Sequence, residues 1–294
     1  MRVLLIGNGQ IGREVYELLK ENDFEVDQVK KTNWNMGVNP KLGRKIVMEK
    51  RPDLLINTAA LTNVDYAELN EQEAFNINST APKNLALGCE VIGIPMIHIS
   101  SDYVYSGRKK TPYLESDKCS PINIYGKSKL EGDTGIISST KKFIIIRTSW
   151  VFSNSDNNFL TNILNIAKQN KDLKIVGDQI GGPTSARCVA RCIYKFACMI
   201  SHKTVRWGIY NFSGEPHVSW FQFTKKIFYL ASIYNLSFKT PELSEIKSTE
   251  FKRTAKRPLD SRLSNEKLIK EFEINPCNWE EELDRYIKSL IPCN

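Results

Sequence analysis

Short apolar runs alternate with longer stretches in which apolar side chains recur every three or four positions. The short runs are "VLLI" from Val3, "FEVDQV" from Phe24, "DLLINTAAL" from Asp53, "PMIHIS" from Pro95, "KFIIIRTSW" from Lys142 and "LKIVGDQ" from Leu173. Each has strand length and is bounded by Gly, Pro or polar residues. Between them lie helical patterns: "GREVYELLKEN" from Gly12, with Val15, Leu18 and Leu19 on one face, and "PKLGRKIVMEKRP", stopped before Pro52. Two more follow, "EQEAFNINSTAPKNLALGCEVIG" from Glu71 and "YGKSKLEGDTGIISS" from Tyr125. Strands alternating with helices predict a parallel sheet covered on both faces, and strands apolar throughout fit that burial.

The alternation loosens after "NFSGEP" and the chain ends in an amphipathic "NWEEELDRYIKSLI". A core over 1–150, to which about 165–213 partly contributes, is therefore expected beside a smaller lobe of 214–294 plus about 151–164. The first strand runs directly into "GNGQIG", that is Gly7-x-Gly9-x-x-Gly12, which opens the first helix. Glycines there permit a tight turn and let backbone N–H groups approach a pyrophosphate, and the helix N-terminus favours the anion. The whole reads as α/β, a Rossmann-type doubly wound parallel sheet with a smaller, partly interleaved C-terminal substrate lobe.

Composition narrows the class. With 294 residues, 41% hydrophobic and 25% charged, the chain is long enough for a large core and too apolar to be disordered. No run approaches the ~18 apolar residues of a membrane helix, and the apolar stretch at the N-terminus stops at Ile6, unlike a secretory signal. A cytoplasmic protein is expected. The net charge of +8 comes from dispersed basic runs with no nucleic-acid-binding pattern around them, and suits anionic small molecules. No nucleic acid and no membrane are expected as partners. The seven cysteines are odd in number and scattered, so structural disulfides are not expected. Cys188 and Cys192, spaced i, i+4, could ligate a metal, but "CVARCIYKFACMI" reads as an amphipathic helix with both facing the core, and no metal site is expected.

Three features carry chemistry. Gly7, Gly9, Gln10, Ile11 and Gly12 form the dinucleotide loop. At the tip of the second strand an acidic residue would bind the ribose hydroxyls of NAD and a basic one the 2′-phosphate of NADP. Lys30 and Lys31 stand there, which leans towards NADPH with NADH possible; a solvated lysine pair is the plain alternative. Then "HISSDYVYSG" leaves a buried strand with Ser100, Ser101, Asp102 and Tyr103 at its tip, followed by Tyr125-x-x-x-Lys129 on the next helix. At i, i+4 the phenol and ammonium share a face, and a neighbouring cation favours the phenolate.

This order of glycine loop, strand-end serine and Tyr-x-x-x-Lys resembles the extended short-chain dehydrogenases/reductases. A narrower resemblance runs through "SSDYVYSG", "ESDKCSPINIYGKSKLEGD", "IIRTSWVFS", "NNF", "VGDQIGGPTSA" and "RPLDSRLSNEKL". These blocks, in order and spacing, are similar to dTDP-4-dehydrorhamnose reductases, enzymes of the dTDP-L-rhamnose synthesis that feeds O-antigen and lipopolysaccharide. The resemblance implies that Ser101 binds the substrate carbonyl and that Tyr125 transfers the proton. Lys129 would lower the tyrosine pKa and hold the nicotinamide ribose. Ala60, Leu61 and Thr62 would lie along the cofactor, and Ser101, Asp102, Tyr103 and Trp150 would line the sugar site. Arg257 and Arg262 are candidates for the diphosphate or for surface ion pairs.

The chain departs from the family pattern at several points. The glycine loop is one residue shorter than the family's Gly-x-x-Gly-x-x-Gly, and serine replaces the frequent threonine. Glu14 matches a glutamate that bridges some family dimers through magnesium, but Arg187 stands where another would be. A monomer or homodimer without that metal bridge is expected. The implied activity is NAD(P)H-dependent reduction of dTDP-4-dehydro-L-rhamnose to dTDP-L-rhamnose. Two alternatives remain: a related 4-ketoreductase giving another epimer or amino sugar, and a non-catalytic NADP-binding regulatory subunit of a methionine adenosyltransferase.

Overall fold

The structure, a computed structural model, describes residues 1–154, 158–169, 172–234, 236 and 241–291. The first half alternates strand and helix: β1 (Arg2–Ile6), α1 (Gln10–Glu21), β2 (Glu25–Val29), α2 (Leu42–Lys50), β3 (Leu54–Asn57), α3 (Val64–Leu69), α4 (Glu71–Phe75), α5 (Ala81–Ile92), β4 (Met96–Ser101), α6 (Ile124–Ser139) and β5 (Phe143–Thr148). The second half is more broken: β6 (Val151–Phe152), α7 (Phe159–Ala167), β7 (Leu173–Val176), β8 (Ile180–Gly181), β9 (Thr184–Ser185), α8 (Ala186–Ser201) and β10 (Gly208–Asn211). It closes with β11 (Gly214–Glu215), β12 (Val218–Ser219), α9 (Trp220–Ile233), β13 (Leu243–Ile246), α10 (Glu266–Phe272), β14 (Cys277–Asn278) and α11 (Trp279–Lys288).

Six strands form one sheet in the order β10-β5-β4-β3-β1-β2, every pairing parallel. The α/β Rossmann-type sheet expected from the alternation is present. Its apolar runs face two cores. Val3, Leu5, Leu54, Ile56, Ile97 and Ile99 pack under α1 and α8, while Leu4, Ile6, Leu55, Met96 and Ile145 pack under α2 and α5. At roughly 25 cal/mol per Å² of apolar surface, burying both faces is the main force holding the sheet. A third core joins Phe152, Leu160, Phe223, Trp279, Leu283 and Ile287, from the segments that interleave with and follow the sheet.

Three features differ from the sequence reading. The run "LKIVGDQ" forms β7, which pairs with β13 outside the main sheet, and the sixth place in that sheet goes to β10, a segment the apolar runs did not single out. The first helix starts at Gln10 rather than Gly12, because Gly9 already takes the extended N-cap conformation. Cys188 and Cys277 are disulfide-bonded, with Cα atoms 5.8 Å apart, against the expectation of unpaired core thiols. The pair lies 89 residues apart and meets only because β14 packs beside the start of α8, which spacing along the chain does not reveal. Cys192 is a free, buried thiol as expected, on the inner face of α8.

Candidate active site

The carboxyl ends of β1, β3, β4 and β5 open into a cleft of about 920 Å³. Ligands of open parallel sheets bind at this edge. Of the residues singled out in the sequence, Gly7, Gly9, Gln10, Ile11, Lys30, Ala60, Leu61, Thr62, Ser101, Asp102, Tyr103, Tyr125, Lys129 and Trp150 all line it. Gly12 does not. It sits behind the loop, where a Cβ would come within 2.7 Å of the Gly7 carbonyl oxygen, so its role is to let α1 approach the turn.

The loop is built for close approach. Gly7 has φ +109°, and a Cβ there would meet Thr58 Oγ1 at 2.7 Å. Its N–H donates to the Val29 carbonyl at 3.0 Å and Thr58 N–H donates to that of Ile6 at 2.9 Å, so β2 and β3 hold the turn. Nothing stands within 4 Å of where a Gly9 Cβ would point, and no acidic residue occupies the first turn of α1. Open space beside an uncompensated helix N-terminus fits a pyrophosphate, so the shortened loop still makes a usable cradle. Leu61, at the middle of the Ala60–Thr62 loop, is pinned by Asn78, which accepts from its N–H at 2.9 Å and donates to its carbonyl at 3.1 Å. Asp27, inside β2, is taken up by Lys50 at 3.0 Å and leaves Lys30 at the tip.

The polar tip of β4 meets α6 across the cleft. Asn123 caps α6 by accepting from Gly126 N–H at 2.8 Å. Gly126 allows the approach: a Cβ there would come within 2.2 Å of the Tyr103 carbonyl oxygen. Tyr103 and Tyr125 pack edge to face, 5.6 Å between centroids. The Ser101 hydroxyl donates to Asp102 Oδ1 at 2.9 Å and accepts from Tyr103 N–H at 3.1 Å. Burial lifts the Tyr125 phenol to about 12, the nearby Ser101 hydroxyl opposes the rise, and Asp102 and Asp133 add to it. Burial also lifts the Asp102 carboxyl to about 7 against hydrogen bonds from Ser261 and Ser101.

Lys129 is almost fully buried, and burial lowers its ammonium to about 8 against the attraction of Asp133. Its Nζ donates to the Ile99 carbonyl at 2.7 Å and lies 3.3 Å from His98 Nε2. Turned that way, Lys129 is not what sets the Tyr125 phenol in this geometry; burial is. One turn on, Asp133 accepts from Arg147 Nε at 3.3 Å, and Arg147 Nη1 donates to the Tyr105 hydroxyl at 2.8 Å.

Trp150, at φ +46°, stacks on Trp220 at the far side of the cleft. Trp220, Phe159 and His98 escaped the sequence reading, since apolar and aromatic positions in helices and strands read as core. Arg257 and Arg262 are already engaged: Arg257 pairs with Asp65 at 2.7 Å, and Arg262 pairs with Asp260 at 2.6 Å. Glu14 faces Arg187, Arg191 and Glu282, charges of both signs. Among the described residues no group of three or more His, Cys, Asp or Glu side chains is placed to hold a metal ion, and no helix is long and apolar enough to cross a membrane.

The family model for the RmlD substrate binding domain matches residues 1–291. The chain belongs to that family. It is similar to dTDP-4-dehydrorhamnose reductases of Sinorhizobium fredii, 35% identical over 99% of this chain and 98% of the relative, and of Aggregatibacter actinomycetemcomitans, 36% identical over 96% and 97%. Among solved structures, the Clostridium acetobutylicum dTDP-4-dehydrorhamnose reductase superposes with a TM-score of 0.91 at 34% identity, covering 99% of both chains. The Bacillus anthracis enzyme, in complex with NADP, gives 0.89 at 31% identity over 98% of this chain and 99% of that one. The parallel sheet is the one its Rossmann-type relatives share.

Proposed function

We propose that the chain reduces the 4-keto group of a nucleotide-activated 6-deoxyhexose, dTDP-4-dehydro-L-rhamnose, to give dTDP-L-rhamnose. It is an NAD(P)H-dependent oxidoreductase, with NADPH as cofactor and NADH possible. The observation that carries the reading is the convergence in one cleft of Ser101 at the end of β4 with Tyr125 and buried Lys129 of α6, the same cleft that the Gly7–Ile11 turn lines. Near-full-length relatives named dTDP-4-dehydrorhamnose reductase support the same substrate class.

The cofactor supplies the hydride when bound; the glycine loop, Lys30 and the Ala60–Thr62 loop would hold it. The chain supplies the donors. Ser101 and Tyr125 hold the ketone oxygen where negative charge develops. Tyr125 is kept protonated by burial, with its phenol at about 12, which suits an acid that must give a proton to an alkoxide. Asp102, Tyr103 and Trp150 are assigned to the sugar, with the Trp150–Trp220 face closing the site.

Purified protein with NADPH and dTDP-4-dehydro-L-rhamnose should lose absorbance at the nicotinamide band and yield dTDP-L-rhamnose by NMR. Cofactor binding without turnover, together with co-purification of a methionine adenosyltransferase, would replace this reading with that of a regulatory subunit.

A further inference from the structure

Beneath the candidate site lies a polar chain that the proposed chemistry does not yet use. His98, on β4, is fully buried between Asn57 on β3 and Lys129 on α6. Its Nδ1 lies 3.0 Å from Asn57 Nδ2, and its Nε2 lies 3.3 Å from Lys129 Nζ. Asn57 cannot be turned over at no cost, because its Oδ1 accepts from Ala59 N–H at 3.2 Å. The amide therefore presents N–H to Nδ1, so Nδ1 accepts. Burial first, and then Lys129, lower the proton affinity of the imidazole, so the ring is neutral and its one proton sits on Nε2. That N–H points at the Lys129 nitrogen. An ammonium has no lone pair to receive it; a neutral amine has one.

We infer that His98, locked by Asn57 as the Nε2–H tautomer, is a positioning residue that favours the neutral amine of Lys129 and so makes its proton available to Tyr125. The inference rests on the reductase reading. In that reaction Tyr125 gives its proton to the alkoxide. Once its Nζ turns from the Ile99 carbonyl toward Tyr125, one turn back on α6, the Lys129 ammonium reprotonates the phenolate, leaving a phenol and an amine whose lone pair accepts the His98 N–H on its return, and water returns the proton to the amine. Other charges around the amine come from α6, where Asp133 and Tyr125 stand one turn to either side, and from β5, where Arg147 pairs with Asp133. Asp102 faces Tyr125 from the end of β4. Of these only Asp133 opposes His98 by attracting the ammonium.

The test is the tautomer itself, read from imidazole ¹⁵N shifts in labelled protein with NADPH bound. The expected result is a bare Nδ1 and a protonated Nε2 at His98. The reversed tautomer or an imidazolium would overturn the inference. Asn57→Asp should reverse the tautomer, because a carboxylate draws the proton to Nδ1 and leaves Nε2 to accept from the ammonium. The alkaline limb of the kcat profile, where the Lys129 proton is lost, should then move up by about one pH unit. If Asn57→Asp does not fold, Asn57→Ala should populate both tautomers and move the limb less, in the same direction. A changed tautomer with an unmoved limb would also overturn it. A wild-type protein that binds NADPH but does not turn over the sugar would instead count against the reductase reading, and the wild-type tautomer would still be measurable.

Discussion

The indole of Trp150 lies flat on that of Trp220, with ring centroids 3.5 Å apart and planes 5° from parallel. Trp150 follows β5 and Trp220 opens α9 beside the third core, so the stack ties the carboxyl ends of the sheet strands to that core across the cleft. A stacked pair is worth ~0.5–1.5 kcal/mol beyond its buried area. Trp220→Ala should leave Trp150 unsupported and raise KM for the sugar nucleotide about tenfold, with a smaller effect on kcat. Steady-state kinetics check this, and an unchanged KM would detach Trp220 from the site.

Tyr125 is the assigned proton donor. Tyr125→Phe keeps the ring that packs against Tyr103 and removes only the hydroxyl. Turnover should fall by ~10²–10⁴, the usual share of a general acid, while fluorescence titration shows NADPH affinity within a few-fold of wild type. An active Phe variant would remove the role.

Asp102 makes stability depend on pH. Its carboxyl is raised by burial from 3.8 to about 7. Between those values the folded chain holds a proton that the unfolded chain has released. Stability from this group is therefore full at low pH, falls as pH rises through that window, and is lowest above it. The penalty above pH 7 is at most ~4 kcal/mol. Asp102→Asn removes it, so thermal unfolding should show the variant gaining Tm over wild type at pH 8 and gaining little near pH 4. An equal difference at both pH values would contradict the burial account.

The sheet was legible in the sequence because uniformly apolar runs and amphipathic helices leave few other ways to bury their faces. The glycine loop, Ser101 and Tyr125-x-x-x-Lys129 were legible as blocks, and the fold brings them to one cleft. The Cys188–Cys277 bond was not, since it depends on a contact made only after β14 docks. His98 was not either: inside "PMIHIS" it reads as a strand residue, and its significance lies in two atoms supplied by β3 and α6. For Arg257 and Arg262 the sequence left phosphate binding and ion pairing both open, because nothing in it points to Asp65 and Asp260 as their partners.

Lys30 is exposed at the tip of β2 and lines the cleft. A cation there favours the 2′-phosphate of NADPH, and a carboxylate favours ribose hydroxyls. Lys30→Glu should raise KM for NADPH about tenfold and leave that for NADH nearly unchanged. Equal changes for both cofactors would place the phosphate elsewhere.

The central claim is hydride delivery to C4 of a 6-deoxy-4-keto sugar. It is tested most directly with NADPH deuterated at the nicotinamide C4 and dTDP-4-dehydro-L-rhamnose, followed by NMR of the product. The account predicts dTDP-L-rhamnose carrying deuterium at sugar C4, with one cofactor oxidised per sugar reduced. Unlabelled product, label at another carbon, or no oxidation of the cofactor would contradict it.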